Sequence, residues 1–348
     1  MKNKLLFYGE LAPNIVHGIS LANRLNIDLL SKVYDITIVE EETDLKNHNK
    51  SSKSKVKKIF SYMNNIFKLN RKNNYTYFYT VFALSTFGSL KTLFVLLAYK
   101  LSGKGKIILH IHRGDFSIFY NKNILNKIVS KLIFLFTHRL AVLSKNQKLE
   151  FTRYFNENKI YVVENSLIEE YQFDKLNIGS EKFIYISNYI KEKGIFELLE
   201  VFKEFDDKYL ECYGGFVNNE KEIREYKSKS IKINGFINGK DKFEKINSSD
   251  ALILPSWNEG QPTIILEAMM MGTIVLTTKV GLVNELLGEE YPFYFEPKNK
   301  FSLQKCIKKF ASYKNKDELS KKLKKSYFEK YSKKIHEEKL LKVFGVKT

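Results

Sequence analysis

Cysteine is nearly missing from this sequence. Two thiols in 348 residues, Cys212 and Cys306, exclude a disulfide framework, and no Cys/His cluster has the spacing of a metal site. A reduced, cytosolic setting is the expectation. Proline is scarce too, at five residues, and seventeen glycines are few for an all-β chain of this length. No apolar run reaches the roughly twenty uncharged residues of a bilayer-spanning helix. Leu90–Leu101 is interrupted by Lys91 and Lys100, and Ile124–Leu143 carries Lys127, Lys131, His138 and Arg139. The N-terminal apolar run, Leu5–Tyr8, is too short for a secretion signal and predicts a first strand instead. Acidic residues are absent from residues 46–72, which carry nine Lys and Arg, while the whole chain has a net charge of +19. Such asymmetry points to an anionic partner: a membrane face, nucleic acid or a phosphorylated substrate.

What is present is enough apolar material, 44% of residues, for two domains with real cores. Strand-like runs at Lys4–Tyr8, Tyr34–Val39, Tyr77–Leu84, Ile107–Ile111, Leu140–Leu143 and Lys159–Val163 alternate with helical patterns. That alternation predicts a parallel sheet covered on both faces. The first strand opens into Gly9–Gly18, a glycine loop followed by a helix near Ser20. Within the basic segment, Val56, Ile59, Phe60, Met63, Ile66 and Phe67 recur three or four apart. They form an amphipathic helix with a cationic approach through Lys53, Lys55, Lys57 and Lys58. It suits either adsorption to an anionic leaflet or ordinary packing on a sheet. His110 and His112 lie two apart on the strand ILHIH and share a face at its carboxyl end, where open α/β sheets bind ligands.

After a polar stretch, Leu167–Glu181, the strand–helix pattern restarts at Phe183–Ser187 and runs through Ala251–Leu254. Pro255–Glu285 then holds a loop with Glu259, Gly260 and Pro262, a helix over Thr263–Met271 stopped by Gly272, a strand at Thr273–Leu276 and a turn at Gly281. A helix N-terminus exposes unpaired N–H groups and the positive end of its dipole, so it can hold a diphosphate through backbone. The tail Lys321–Phe344 reads as helical.

PSWNEGQPTIILEAMMMG resembles, almost position by position, the Glu-x7-Glu block of the retaining glycosyltransferases of family 4, glycosyl transferases group 1. KEKGIFELLEVF, YGELAPNIVHGISLAN and VVENSL resemble further segments of that family in the right order. The resemblance implies the α/β GT-B architecture, two Rossmann-like domains with parallel sheets facing a central cleft. Residues 1–170 would bind the acceptor, with the helix 326–348 packing back on them, and residues 171–325 would bind the nucleotide sugar. Glu259, His112 and Lys193 would be the catalytic residues. The donor would be held by Gly18, Asn188, Lys193, Phe236, Glu259, Gly260, Gln261, Thr263, Ile264 and Glu267. Of these, Glu267 would take the ribose hydroxyls and His112 the sugar.

Two positions depart from the family's pattern. Ser187-Asn188 stands where a Gly-Arg pair is usual, leaving Arg113 as a candidate substitute, and Gly281-Leu282 stands where a glycine pair is usual. No Asp-x-Asp occurs, so the implied reaction uses no metal and no cofactor beyond a UDP- or GDP-sugar substrate. The implied product is a cell-surface polysaccharide or a lipid-linked oligosaccharide, made at the inner face of the plasma membrane with the basic segment 46–72 on the lipid. The competing reading is a non-catalytic, transferase-like module that recruits a membrane or a partner enzyme. Nucleic acid is not an expected partner, because no recognition motif for it is present.

Overall fold

The computed structural model describes residues 2–15, 17–41, 52–173 and 181–346, and within Ser52–Asn73 the side chains from Val56 onward. The chain divides into two compact units, residues 1–168 with 333–348, and residues 169–332.

The first unit runs β1 (Asn3–Gly9), α1 (Gly18–Leu30), β2 (Tyr34–Glu40), α2 (Ser52–Asn73), β3 (Tyr77–Val81), α3 (Thr86–Ser102), β4 (Lys106–Ile111), α4 (Phe116–Asn121), α5 (Ile124–Phe136), β5 (Arg139–Val142), α6 (Lys145–Phe151) and β6 (Ile160–Val162). Its strands form one sheet in the order β2-β1-β3-β4-β5-β6, every pair parallel. Strands buried on both faces read as near-continuous apolar runs, which is why Leu5–Phe7 and Ile107–Leu109 are fully buried. One face packs under α2 to α6, with Ile66, Leu96, Tyr99, Phe116, Ile133 and Phe151 in a single cluster.

The second unit runs β7 (Lys182–Ile186), α7 (Ile195–Phe202), β8 (Tyr209–Tyr213), α8 (Glu220–Arg224), β9 (Ile231–Asn234), α9 (Gly239–Asn247), β10 (Ala251–Leu254), α10 (Thr263–Met271), β11 (Ile274–Thr278), α11 (Val283–Leu287), β12 (Tyr294–Phe295), α12 (Lys300–Ser312) and α13 (Lys316–Lys330). Its six strands are again all parallel, in the order β12-β11-β10-β7-β8-β9. The helix over Thr263–Met271 and the strand Ala251–Leu254 match their sequence expectations to the residue. The strand expected over Tyr77–Leu84 ends at Val81, and the short helices α4 and α6 have no counterpart in the sequence reading.

The tail expected as one helix is two. Tyr327 donates to Glu170 at 2.9 Å and Ser320 to the Gly272 carbonyl at 2.6 Å, so α13 stays with the second unit. The chain then returns as α14 (Lys333–Phe344) to the other face of the first sheet, where Leu340, Val343 and Phe344 are buried. The return therefore starts at Lys333 rather than 326, and the units part after Ile168 rather than 170. The amphipathic stripe of α2 is covered in part. Ile59 and Ile66 are buried and Ile66 joins the core cluster with Tyr62 and Leu69 beside it, so packing claims one side of the stripe while Val56 and Phe60 stay exposed. Residues 46–51 and the side chains of Lys53 and Lys55 lie outside the described residues. Among the described residues no helix is long and apolar enough to cross a membrane.

α14 is fastened through a buried polar chain. His336 Nδ1 meets the Glu164 carbonyl at 2.7 Å, and its Nε2 meets Asn26 Oδ1 at 2.6 Å. The Asn26 amide donates to the Tyr79 hydroxyl at 2.8 Å, which lies 2.8 Å from His110 Nδ1. Burial pushes the His336 pKa from 6.5 down to about 4. Because the folded value is depressed, the unfolded chain takes up the proton first as pH falls. Stability from a neutral His336 is therefore whole above pH 6.5 and is lost on the way down to about pH 4, by about 3 kcal/mol. Urea melts across that window are expected to show a slope to which the buried His110 and His112 also contribute, and His336→Gln is expected to reduce it by the His336 share. An unchanged slope in the variant contradicts the assignment.

Candidate functional site

In the second sheet β7 leads to β8 and β9 on one side, and the chain then returns to lay β10 along the other, with Ala251 opposite Phe183. The carboxyl ends of β7 and β10 thus make a topological switch point, the crevice where open α/β sheets bind ligands. From β7 the chain enters a 3₁₀ turn, Lys191–Lys193, closed by Gly194 in the left-handed region at φ +68°. A Cβ on Gly194 would stand 2.2 Å from the Pro255 carbonyl oxygen, so only glycine lets the turn lie against the loop after β10. The Trp257 amide donates to the Glu192 carbonyl at 2.9 Å and pins the two together. As a result Lys193 Nζ meets Glu259 Oε1 at 2.7 Å, with the Glu259 side chain only 9% exposed.

A second glycine closes the loop from behind. Gly281 has φ +59°, and a Cβ there would sit 1.9 Å from the Glu259 carbonyl oxygen. The Leu282 amide donates to the Gly260 carbonyl at 3.0 Å. Glu259 and Gly260 are therefore held between two elements. Gln261 is buried beside them. Helix α10 starts at Thr263 after Pro262, with no side-chain cap, which leaves the first-turn amides of Thr263 and Ile264 for a ligand.

Glu267, on the next turn of α10, is buried. Its Oε1 accepts from Lys242 Nζ at 2.7 Å, and its Oε2 has no hydrogen-bond partner among the described residues. Burial raises its pKa, and the Lys242 ammonium opposes that shift. A buried carboxylate oxygen without a donor is costly, and a hydroxyl-bearing ligand relieves it. Lys242 escaped the sequence reading. Its place on α9, packed on α10, is tertiary, and an isolated Gly239–Asn247 pattern carries no sign of it. Asn188 is exposed after β7, its carbonyl accepting from the Tyr185 hydroxyl at 3.0 Å, and Phe236 is exposed after β9.

In the first unit His112 is buried at the end of β4, its ring 4.0 Å from that of His110, with the Asn165 side chain beside it. Burial pushes its pKa down to about 3, Asn165 opposing, so the ring is neutral at physiological pH. Gly18 heads α1, is exposed, and has open space where a Cβ would go, so the fold itself does not demand glycine there. Arg113 is tied to Asp115 by an ion pair and is not a free replacement for the missing arginine. The sequence reading passed over His17. It caps α1 by accepting from the Ser20 amide, and its Nε2 meets Glu10 Oε2 at 2.7 Å. The only signal for it is that Glu10 and His17 sit at the two ends of the glycine loop. At this sheet's own switch point, between β1 and β3, lies a cavity of about 200 Å³. Tyr8, Asn23, Thr80 and Arg113 line it, together with the Glu41–Lys91 ion pair.

Residues 168–329, nearly the whole second unit, match the family model described as glycosyl transferases group 1. A curated relative, the putative teichuronic acid biosynthesis glycosyltransferase TuaC of Bacillus subtilis, is 28% identical over 127 residues. That match covers 36% of this chain and 32% of the relative, so the chain spans about a third of that protein. Among solved structures, sucrose-phosphate synthase from Thermosynechococcus elongatus superposes with a TM-score of 0.80 at 13% identity, covering 99% of this chain and 98% of its own. The lipopolysaccharide outer core galactosyltransferase WaaB gives 0.66 at 12% identity, covering 98% and 99%. The fold is GT-B, with two parallel six-stranded sheets.

Lys242→Ala leaves the Glu267 carboxylate buried and uncompensated, and is expected to cost about 3 kcal/mol in a urea melt. Adding Glu267→Gln is expected to recover most of that loss. If the single variant melts with wild type, the pair is not the buried couple described.

Proposed function

We propose that this chain, whose second unit carries a glycosyl transferases group 1 domain, moves a hexose-type sugar from a nucleoside diphosphate sugar to a polysaccharide or lipid-linked glycan acceptor with retention at the anomeric carbon. The observation that carries the reading is the Lys193–Glu259 pair at the β7/β10 switch point, beside the uncapped start of α10. When the glycosidic bond to the diphosphate breaks, negative charge grows on the leaving group and positive charge on the anomeric carbon. Lys193 and the amides of Thr263 and Ile264 answer the first, as fixed dipoles and cations do in water-poor sites. Glu259 accepts from sugar hydroxyls as Lys193 turns to phosphate, and the free Oε2 of Glu267 accepts from the ribose. This scheme meets the leaving-group charge with protein groups and needs no metal.

On the acceptor side, the cavity between β1 and β3 is the place we assign to the receiving hydroxyl, with His112 as the sugar contact of the first unit. A ring held neutral donates through one nitrogen and accepts through the other, which suits a hydroxyl better than a phosphate. The names of TuaC, a putative teichuronic acid biosynthesis glycosyltransferase, and WaaB, a lipopolysaccharide outer core galactosyltransferase, support a polysaccharide-type acceptor. A lipid-linked acceptor places the enzyme at the inner membrane face, where the basic segment 46–72 supplies charge. The second reading, a binding module without turnover, draws on Asn188, which offers no cation where the related pattern has arginine.

A panel of UDP- and GDP-sugars scored for nucleotide release tests this. Wild type is expected to release nucleotide from at least one donor. Lys193→Ala and Glu259→Gln are expected to be slower by a hundredfold or more, about 3 kcal/mol of transition-state stabilisation. Gly281→Ala, which drives a methyl into the Glu259 carbonyl, is expected to fall with them. Donor binding without release by any protein supports the module reading, and equal release by wild type and variants removes the assigned residues.

A further inference from the structure

The positive charge of this chain has a single address. Residues 46–151 hold twenty Lys and Arg against two acids, Asp115 and Glu150, an excess of eighteen where the entire protein has a net charge of +19. That stretch contains α2 to α6, the helices packed on one face of the first sheet, while α1 and α14 cover the other. Of seventeen large apolar side chains that the described residues leave exposed, twelve belong to the same stretch.

They are not scattered. On α5, Ile124, Ile128, Leu132 and Leu135 follow one another at helical spacing on the side away from Val129 and Ile133, which are buried. Ile124 is 71% exposed and Leu135 75%. On α3, which packs against α5, Phe87, Phe94 and Leu101 repeat every seven residues and are also exposed. Ile118 on α4 and Leu149 on α6 add to them. A helix apolar on all sides is normally buried, and α5 is buried on one side only. Contiguous exposed apolar surface on a soluble fold marks an interaction site. Lys127 and Lys131 stand within the α5 stripe, and Lys100, Lys104 and Lys122 lie at the ends of the neighbouring helices.

We infer that the α3–α5 face seats on an anionic lipid bilayer, the apolar stripes entering the acyl boundary and the lysines meeting the headgroups. An apolar ridge fringed by cations fits a surface that is anionic outside and oily a few ångströms deeper. A nucleic acid would match the charge and leave the isoleucines and leucines wet. The inference stands apart from the donor chemistry of the second unit. It adds α3 and α5 to the basic segment 46–72, where Val56 and Phe60 of α2 also stay exposed.

The test is co-sedimentation of the full chain with phosphatidylglycerol/phosphatidylcholine vesicles and with phosphatidylcholine alone. Wild type is expected to bind the anionic vesicles, more weakly as salt rises, and to leave the neutral ones. Ile124→Gln/Ile128→Gln/Leu135→Gln changes only exposed positions, so it is expected to melt with wild type and to lose tenfold or more in vesicle affinity. Lys127→Gln/Lys131→Gln is expected to weaken binding severalfold at low salt and little at high salt. The inference is overturned if the triple variant sediments like wild type, if wild type ignores both vesicles, or if wild type prefers duplex DNA and the triple variant retains that binding. Wild type that ignores vesicles yet releases nucleotide from a sugar donor keeps the transferase reading and loses this one.

Discussion

The ion pair between Lys193 and Glu259 is the constraint on which the site in the second unit depends. Neither residue sits on a strand or a long helix. Each is placed by a loop leaving one of two adjacent strands, and two left-handed glycines force those loops together. Gly194 lets the lysine turn lie against Pro255, and Gly281 lets the chain pass under the Glu259 carbonyl. The two charges neutralise each other at 2.7 Å. A ligand that offers phosphate to one and hydroxyls to the other divides the pair without stranding either charge. An opposed pair of that kind suits a sugar diphosphate and is poorly suited to a plain anion.

The first unit is organised by what covers its sheet. One face takes α1 and the returning α14, locked through His336, Asn26 and Tyr79 down to His110, on whose ring His112 rests. The other face takes α2 to α6, a strongly basic set of helices that carries most of the exposed apolar groups among the described residues. Three neutral, buried histidines on one side and a basic, oily surface on the other are different tools. The first is a buried polar chain that ties α14 to the sheet, and the second is the face to which the lipid inference belongs.

Much of this was legible where the signal is local. Pro262 before α10 and Gly272 after it bound a helix to the residue, and alternating strands and helices gave both sheets. The Glu259–Glu267 block and Lys193 stood out through their resemblance to the motifs of a known family, and the donor roles assigned to them come from that resemblance. Pairings across the fold were not legible. Lys242 reaches Glu267 only because α9 packs on α10, and His336 meets Asn26 across 310 positions of sequence. The stripe of α2 was periodic but silent about its cover, and α3 and the core cluster cover only part of it, leaving Val56 and Phe60 exposed. The tail read as one helix because periodicity does not say which unit each turn packs on.

Amide hydrogen exchange, with and without a bound nucleoside diphosphate sugar, tests most directly whether the β7/β10 switch point is the donor seat. Residues 191–194, 259–265 and the α9 turn around Lys242 are expected to gain protection together on binding, while the distant α12 does not change. Protection confined to the first unit, or spread evenly over both, contradicts the account.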